Sequence, residues 1–325
     1  MTPLPADDRS PGKTPDLTVR VGELVMPNPV GVASGTFGFG TEFEALMDAD
    51  ALGALYTKAV TLEPRPGNPP PRLVETPSGM LNSIGLANPG LEAFTREKLP
   101  GLRARRCPII VNVAGACEDD YVRVVERLET ESGPAGYEIN VSCPNVSHGG
   151  MAFGTNPVGV ERITSRLRAV LSQASPHSGP RRPLIVKLSP NVTDIAEIAR
   201  AAEAGGADGL SCINTLVGMV IDVKRRVPAI ARGTGGLSGP AIRPVGVACV
   251  YRVSRAVRIP VIGLGGILSA EDALEYLLAG ASAVQVGTGN FLDPRTATNV
   301  LAGIEDWMQK NSVENVSDIR RMLDA

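Results

Sequence analysis

The sequence is poor in aromatic residues, histidine and net charge, and these shortages exclude some classes of function. Its 325 residues include six Phe, five Tyr, one Trp and two His, and the formal net charge is −2. So few aromatic rings offer no series of stacking platforms for bases, and a near-neutral balance is not that of a nucleic-acid-binding surface. We therefore expect no nucleic-acid partner.

Long apolar runs and paired cysteines are also missing. No stretch approaches the roughly 18 apolar residues of a membrane-spanning helix, and residues 1–16, with their acids and prolines, predict a disordered arm rather than a signal peptide. The five cysteines form no C-x-x-C pair, which disfavours disulfides, a zinc site or an iron–sulfur cluster within this chain. We expect no metal, no membrane association and a cytoplasmic location.

What the chain does contain is a series of short apolar runs, each followed by polar or Gly-rich sequence. Runs of this length suit strands that are buried on both faces. The eight predicted strands are Val30–Ser34, Ala54–Val60, Ile109–Val113, Tyr137–Val141, Leu184–Leu188, Gly209–Ile213, Val261–Leu264 and Ala283–Val286.

Segments with helical periodicity separate most of these runs. The predicted helices include Asp119–Glu131, Pro157–Leu171, Thr193–Ala204 and Ser269–Leu278. Eight strands alternating with helices predict an α/β fold, a (β/α)₈ TIM barrel, as a single domain over residues 17–325. An open doubly wound sheet is the alternative, although no G-x-G-x-x-G opens a helix after the first strand.

Three segments depart from the plain repeat. Thr61–Asn88 and Thr215–Gly239 are insertions that follow strands two and six, and so lie at the carboxyl ends of the strands, where barrel active sites form. Loops of this length are usually functional. Leu17–Pro27 predicts a small hairpin that closes the other end of the barrel.

Residues 137–150, YEINVSCPNVSHGG, place a thiol where a buried strand ends. Pro144 cannot donate a ladder hydrogen bond, so the strand should end near Cys143. Cys143 is then either a reactive group beside the amide of Asn140 or one more small buried hydrophobe, as most free cysteines are.

Glycines and cationic side chains gather after other strands. Strand seven ends in residues 263–266 (GLGG) and strand eight in residues 287–289 (GTG). The loops after these two strands are the usual phosphate site of this fold, although simple turns would also use glycine. Lys58 and Lys187 lie within or at the end of strands. Each could form a Schiff base, pair with an anionic ligand or extend its amine to the rim.

Amides at the same end suit a flat ligand with alternating C=O and N–H groups; they are Asn82, Asn112, Asn140, Asn145 and Asn214.

Together these residues resemble the dihydroorotate dehydrogenases, specifically the soluble class 1B catalytic subunit. The matching segments run from about residue 17 to 291. They are 33–40 (ASGTFGFG), 58–90, 138–150 (EINVSCPNVSHGG), 186–192 (VKLSPNV), 214–222 (NTLVGMVID), 231–242 (ARGTGGLSGPAI), 259–267 and 285–291.

The resemblance implies a bound FMN and oxidation of dihydroorotate to orotate in pyrimidine synthesis, with Cys143 as the general base. The implied substrate contacts are Lys58, Asn82, Ser83, Ile84, Gly85, Leu86, Asn140, Asn214 and Thr215. The implied FMN contacts are Ser34, Lys58, Ala59, Asn112, Asn140, Lys187, Ile213, Gly239, Gly265, Gly266, Gly287 and Thr288.

The resemblance also implies partners. Class 1B members form homodimers and pass electrons to a second subunit that holds FAD and a 2Fe–2S cluster, with NAD as the final acceptor. This chain has neither cysteines spaced for a cluster nor a dinucleotide fingerprint, so such a subunit would have to be a separate chain in a heterotetramer.

Three other functions remain open on the sequence. A related flavin barrel could act on uracil-type dihydropyrimidines. A phosphate-binding barrel lyase or isomerase could use Lys187 as a Schiff base. A ligand-binding barrel could lack catalysis altogether.

Overall fold

Eight parallel strands close into a barrel in the computed structural model, which describes residues 14–141, 153–173 and 180–323. Each barrel strand pairs with the next one in chain order, and the last pairs with the first. The predicted (β/α)₈ barrel is confirmed, and all eight predicted runs supply its strands. The open sheet was the wrong alternative, because the closing pair is present between residues 284–286 and 30–32.

The strands of the described residues can be given in chain order. They are β1 (Val19–Val21), β2 (Leu24–Met26), β3 (Val30–Val32), β4 (Ala54–Tyr56), β5 (Leu73–Thr76), β6 (Gly79–Asn82), β7 (Ile109–Val113), β8 (Pro134–Asn140), β9 (Leu184–Leu188), β10 (Gly209–Cys212), β11 (Leu216–Met219), β12 (Ile221–Asp222), β13 (Val227–Pro228), β14 (Thr234–Ser238), β15 (Val261–Leu264) and β16 (Ala283–Val286). The barrel consists of β3, β4, β7, β8, β9, β10, β15 and β16.

The helices lie between these strands or after the last of them. They are α1 (Leu91–Ala93), α2 (Leu99–Leu102), α3 (Glu118–Glu129), α4 (Pro157–Ser172), α5 (Ile195–Ala204), α6 (Arg243–Ala256), α7 (Ala270–Leu278), α8 (Gly289–Leu292), α9 (Thr296–Lys310) and α10 (Val316–Ile319), and a π-helical stretch at Phe94–Lys98 connects α1 to α2.

Local chemistry explains where these helices begin. The Asn156 side chain accepts a hydrogen bond from the backbone N–H of Val158, and Ser269 and Asp272 form a reciprocal capping box. The N-cap of α5 is Asp194, so the helix begins at Ile195, two residues after the predicted start at Thr193. None of the helices in the described ranges is both long and apolar enough to cross a membrane.

The two insertions form a sheet that the sequence analysis did not anticipate. Strands β5 and β6 of the first insertion and β11 and β14 of the second make one antiparallel sheet in the order β11-β14-β6-β5. The pairing of β14 with β6 joins the two insertions directly. The segments expected to be loops therefore build a small structured layer over the carboxyl end of the barrel.

The other end of the barrel is closed as predicted. Strands β1 and β2 form an antiparallel hairpin, and Val21 is fully buried beside Gly209, the first residue of β10. Asp16, the last residue of the expected arm, exchanges backbone hydrogen bonds with residues 314 and 316. The beginning of the described chain is thereby attached to its C-terminal segment.

Candidate active site

Ser34, Asn112 and Lys187 meet where β3, β7 and β9 approach the carboxyl end of the barrel. The Oγ of Ser34 accepts hydrogen bonds from Asn112 Nδ2 at 3.2 Å and from Lys187 Nζ at 3.0 Å. Asn112 and Lys187 are buried. The Oδ1 of Asn112 finds no hydrogen-bond partner among the described residues. A buried amide oxygen without a partner is costly, so this cluster suits a ligand that brings an N–H or O–H group.

Two more predicted asparagines meet at the ends of β8 and β10. Asn214 Nδ2 donates to Asn140 Oδ1 at 3.3 Å, and Asn214 Oδ1 accepts from the backbone N–H of Thr215 at 2.9 Å. The Tyr121 hydroxyl donates to the backbone carbonyl of Asn140 at 2.8 Å, which fixes the strand end from α3. The amides therefore form a connected polar edge.

The predicted substrate loop is held by Asn68, a residue that the sequence analysis did not single out. Asn68 Nδ2 donates to the Ser83 carbonyl at 3.0 Å and to Ser83 Oγ at 2.9 Å, and its backbone N–H donates to the Ile84 carbonyl. Gly85 and Leu86 both have positive φ, 74° and 57°. Leu86 lacks the freedom of glycine in that region, so its conformation depends on these surrounding bonds.

Asn82 connects this loop to the second insertion. Its Nδ2 donates to the carbonyl of Gly236 on β14 at 3.2 Å. A Cβ on Gly236 would lie 2.1 Å from Thr215 Oγ1, so Thr215 packs directly against the same strand. The predicted substrate contacts from the two insertions are therefore neighbours in space.

Lys58 supplies a cation beside that loop. Its backbone N–H donates to the Gly38 carbonyl at 2.8 Å, and its side chain is half-buried. Burial lowers the pKa of Lys58, the nearby Arg72 guanidinium lowers it further, and Glu42 acts in the opposite direction. The Arg72 carbonyl accepts from the backbone N–H of Ser83 at 2.7 Å, which pairs the backbone of Arg72 with the predicted substrate loop.

Three glycines predicted to contact FMN, two of them at its phosphate, approach one another closely. Gly239, Gly265 and Gly266 have φ of 96°, 127° and 75°, a region that favours glycine. A Cβ on Gly266 would lie 2.8 Å from the Gly239 carbonyl oxygen. The Tyr276 hydroxyl donates to the Gly265 carbonyl at 2.7 Å and fixes this turn from α7.

Gly287 and Thr288, after β16, complete this glycine-rich turn region. Thr288 Oγ1 donates to Ser238 Oγ at 2.9 Å, and the Thr288 methyl would lie 3.5 Å from a Cβ on Gly239. Backbone segments from the second insertion, β15 and β16 thus converge on one surface. Close backbone approach of this kind suits an anionic oxygen group, which backbone N–H groups can bind.

Ala59 and Ile213, the remaining predicted cofactor contacts, are buried. The backbone N–H of Ile213 donates to the Leu264 carbonyl at 3.1 Å. Cys143 and Asn145 lie outside the described residues. The role assigned to Cys143 stays a prediction, as do the individual contacts assigned to the other site residues.

Glu138 is a buried charged residue that the site prediction missed. Its side chain on β8 is fully buried and accepts hydrogen bonds from Asn112 at 2.6 Å, Ser211 at 2.7 Å and Gln285 at 3.1 Å. Burial raises the pKa of this carboxyl, but Lys187 and the three donors outweigh burial and hold the pKa below its usual value. The sequence itself pointed to Glu138, because an acidic side chain within an apolar strand must be paired when it is buried.

Comparison with known proteins identifies the family. The family model described as dihydroorotate dehydrogenase matches residues 16–308. The chain belongs to the dihydroorotate dehydrogenase family. A relative from Geotalea daltonii is 50% identical over 305 residues, 94% of this chain and 97% of the relative. A relative from Pelobacter propionicus is 51% identical over 311 residues, 96% and 99% of the two chains.

Both relatives bear the name dihydroorotate dehydrogenase B (NAD(+)), catalytic subunit. A solved structure, DHODH from Eimeria tenella in complex with ferulenol, is similar with a TM-score of 0.78 and 24% identity over 98% of this chain and 90% of that one. At that identity the likeness supports the barrel fold alone. The resemblance noted in the sequence motifs is thus confirmed at the level of the family.

Proposed function

We propose that this chain is the catalytic subunit of a type B dihydroorotate dehydrogenase, which oxidises dihydroorotate to orotate with its own FMN. The observation that carries the proposal is the combination of two subsites at one end of the barrel. One is the edge of asparagines at the end of the barrel where Lys58 also follows its strand, and the other is a glycine-rich surface formed after β14, β15 and β16. A flat anionic substrate and a phosphate-bearing cofactor match these two subsites.

The residues present fit FMN. Gly265 and Gly287 are partly exposed and follow the neighbouring strands β15 and β16, and Gly266 adjoins Gly265, so glycine backbone lies close to one surface, as a phosphate requires. Asn112 Oδ1 is an acceptor without a partner in the described chain, as a ring N–H requires. Lys187 brings a cation to the same cluster. FMN, when bound there, supplies hydride acceptance.

The protein's own groups perform the remaining tasks. Lys58 binds the substrate carboxylate, and the amides of Asn82, Asn140 and Asn214 bind the ring edges, because amides both donate and accept. The Cys143 thiolate removes the proton from C5 of dihydroorotate as general base. Positioning the ring by several fixed amides reduces the orientational freedom that the reaction must overcome.

The relatives' names support the existence of a partner subunit, and the family resemblance supplies its expected cofactors. The words catalytic subunit and NAD(+) in those names support a second subunit that carries FAD and a 2Fe–2S cluster and transfers electrons to NAD. We propose a heterotetramer built on a homodimer of this chain, in the cytoplasm.

Anaerobic reduction of the purified, FMN-loaded chain tests this proposal. Dihydroorotate should bleach the flavin absorbance, and dihydrouracil, which lacks the carboxylate that Lys58 binds, should not. Bleaching by dihydrouracil alone would support the uracil-type alternative instead. A colourless protein that does not take up FMN would contradict both flavin functions.

The lyase alternative uses Lys187 as a nucleophile, and the geometry disfavours it. Lys187 Nζ donates to Ser34 Oγ at 3.0 Å and lies 3.7 Å from the Glu138 carboxylate. This arrangement suits an anchored cation. Borohydride trapping of a carbonyl substrate on Lys187 would reverse that conclusion.

A further inference from the structure

Glu138 lies beneath the proposed cofactor site, and none of the expected substrate or cofactor contacts includes it. It comes from the middle of β8, and its exposure is 0%. Carboxylates are almost never buried this completely unless they are paired. Its surroundings therefore indicate what it does.

Donors from three different barrel strands converge on this carboxylate. Oε1 accepts from Ser211 on β10 and Gln285 on β16, and Oε2 accepts from Asn112 on β7. Lys187 Nζ, on β9, lies 3.7 Å from Oε2. Both carboxylate oxygens are thus satisfied, and the hydrogen bonds fix the carboxylate in the centre of the barrel.

Two of these partners also face the proposed FMN. Asn112 uses the same Nδ2 for Glu138 and Ser34, which leaves its Oδ1 for a ligand. Lys187 reaches Ser34 Oγ with the Nζ that also faces the carboxylate. One buried anion thus determines how an amide and an ammonium are presented to the cofactor.

We infer that Glu138 is a positioning residue that holds Asn112 and Lys187 in place and reduces the positive electrostatic potential they present to the cofactor. The inference rests on the proposed FMN site. In the low-dielectric interior of the barrel, the charge of Glu138 acts at short range with little screening. The carboxylate thereby limits how strongly the site favours electron-rich states of the flavin.

Replacing Glu138 by Gln removes the charge and keeps the size. Sulfite is a suitable probe because it adds to oxidised flavin more tightly when the surrounding potential is more positive. We expect Glu138→Gln to bind FMN and to bind sulfite about tenfold or more tightly than wild type, as expected for loss of a nearby buried charge at an effective dielectric constant of about 20. Lys187→Met should shift sulfite affinity the opposite way.

The sign of the shift separates this role from a merely structural one. Loosened packing would change both single variants in the same direction, whereas opposite shifts require an electrostatic cause. Unchanged or weaker sulfite binding by Glu138→Gln would overturn the inference. The other titratable group facing Glu138 in the described chain is Tyr56, and burial together with the Glu138 carboxylate raises its pKa far above neutral. The phenol therefore does not change charge during a measurement near pH 7.

A stability cycle on the FMN-free protein covers the case in which a variant binds FMN poorly. In the Lys187→Met variant, the Glu138 carboxylate stays buried without a cation beside it. This variant should therefore unfold at a clearly lower denaturant concentration than wild type. Adding Glu138→Gln to Lys187→Met should restore part of the loss. If the stability losses of the two single variants simply add in the double variant, Glu138 and Lys187 are not coupled, which would contradict their pairing.

Failure of the inference can be told apart from failure of the proposed function. Wild-type protein that is bleached by dihydroorotate, together with Glu138→Gln that leaves sulfite affinity unchanged, rejects only the role of Glu138. Wild-type protein that takes up no FMN rejects the proposed function, and the stability cycle still decides whether Glu138 and Lys187 are coupled.

Discussion

Thr288 Oγ1 donates a hydrogen bond to Ser238 Oγ at 2.9 Å, and this contact joins the end of the last barrel strand to the sheet formed by the insertions. Gly239 follows Ser238 and packs against the Thr288 methyl group. The position of the second insertion and the shape of the proposed phosphate site are therefore coupled.

Loss of that contact should weaken cofactor binding modestly. Ser238→Ala removes one neutral hydrogen bond, worth about 0.5–1.5 kcal/mol, so the FMN dissociation constant should rise by roughly two- to tenfold. Quenching of FMN fluorescence measures it. Thr298→Ala, which removes a local hydrogen bond to the Arg295 carbonyl in α9, is the control and should leave FMN affinity unchanged. Equal affinities in both variants would show that Ser238 does not support the site.

Gly266→Ala should damage both stability and cofactor binding. Gly266 has a φ of 75°, and the new Cβ would lie 2.8 Å from both the Gly239 oxygen and Arg243 Cβ. We expect about 1–3 kcal/mol lower free energy of unfolding from the backbone strain alone, with loss of FMN binding. Denaturant titration and flavin retention measure the two effects.

Gly101→Ala provides the matched control for that substitution. Gly101 lies in α2, and its Cβ would meet nothing within 4 Å. Alanine in a helix is about 0.5–1 kcal/mol more favourable than glycine. The variant should therefore be as stable as wild type or slightly more stable, with normal FMN content. A comparable loss of stability and of FMN binding in both variants would argue against a specific role for the turn at Gly266.

Cys143→Ala should slow flavin reduction by dihydroorotate about 10²- to 10⁴-fold, the usual contribution of a general base. A thiol has a reference pKa of about 8.5, and the thiolate is the active form, so the wild-type rate should rise from neutral towards alkaline pH. Anaerobic stopped-flow absorbance measures both quantities. A flat wild-type profile between about pH 6 and 9 would count against Cys143 as the base.

The other thiols help to assign that pH dependence. Burial, together with nearby Asp50, raises the pKa of Cys107 to about 12, so it stays protonated across the range. Burial also raises the pKa of Cys212 and Cys249. Cys117 is exposed, and Cys117→Ala is the control that should retain both the rate and its rise with pH.

Lys58→Met should weaken orotate binding about 10- to 100-fold, since hydrogen bonds to charged groups contribute about 1.5–3 kcal/mol. The pKa of Lys58 is lowered, mainly by burial. Orotate should therefore bind best below that lowered pKa and lose affinity as pH rises through it, earlier than with an ordinary lysine. Flavin spectral titration against pH measures this. Lys310→Met, at an exposed pair with Asp306, should bind orotate normally.

The barrel could be predicted because its strands are buried on both faces and read as continuous apolar runs. The predicted ends of these strands were less accurate. The run from Ala54 was expected to reach Val60, but β4 ends at Tyr56 because the Lys58 N–H turns to the Gly38 carbonyl and interrupts the pairing with β7. The pairing returns only as an isolated bridge between Val60 and Val113. Strand β8 begins at Pro134, earlier than predicted, next to an irregularity in its pairing with β7.

The sheet made by the insertions could not be predicted in the same way. Strands such as β6 (GMLN) and β14 (TGGLS) are short, half-exposed and contain glycine. They therefore show neither the alternation of apolar and polar residues nor the continuous apolar run that predicts a strand. Their pairing partners are remote in sequence. Glu138 differs, because an acid inside an apolar strand was visible from the start and was not interpreted.

The bond between Asn82 and Gly236 spans 154 positions of the chain. Translation delivers the N-terminal portion first, so the segment bearing Asn82 leaves the ribosome long before its partner strand exists. The β5–β6 hairpin must then lack its partner strand β14 until most of the barrel has been made. A nascent chain that stops before residue 236 can hold several complete βα units and still lack this part of the pocket.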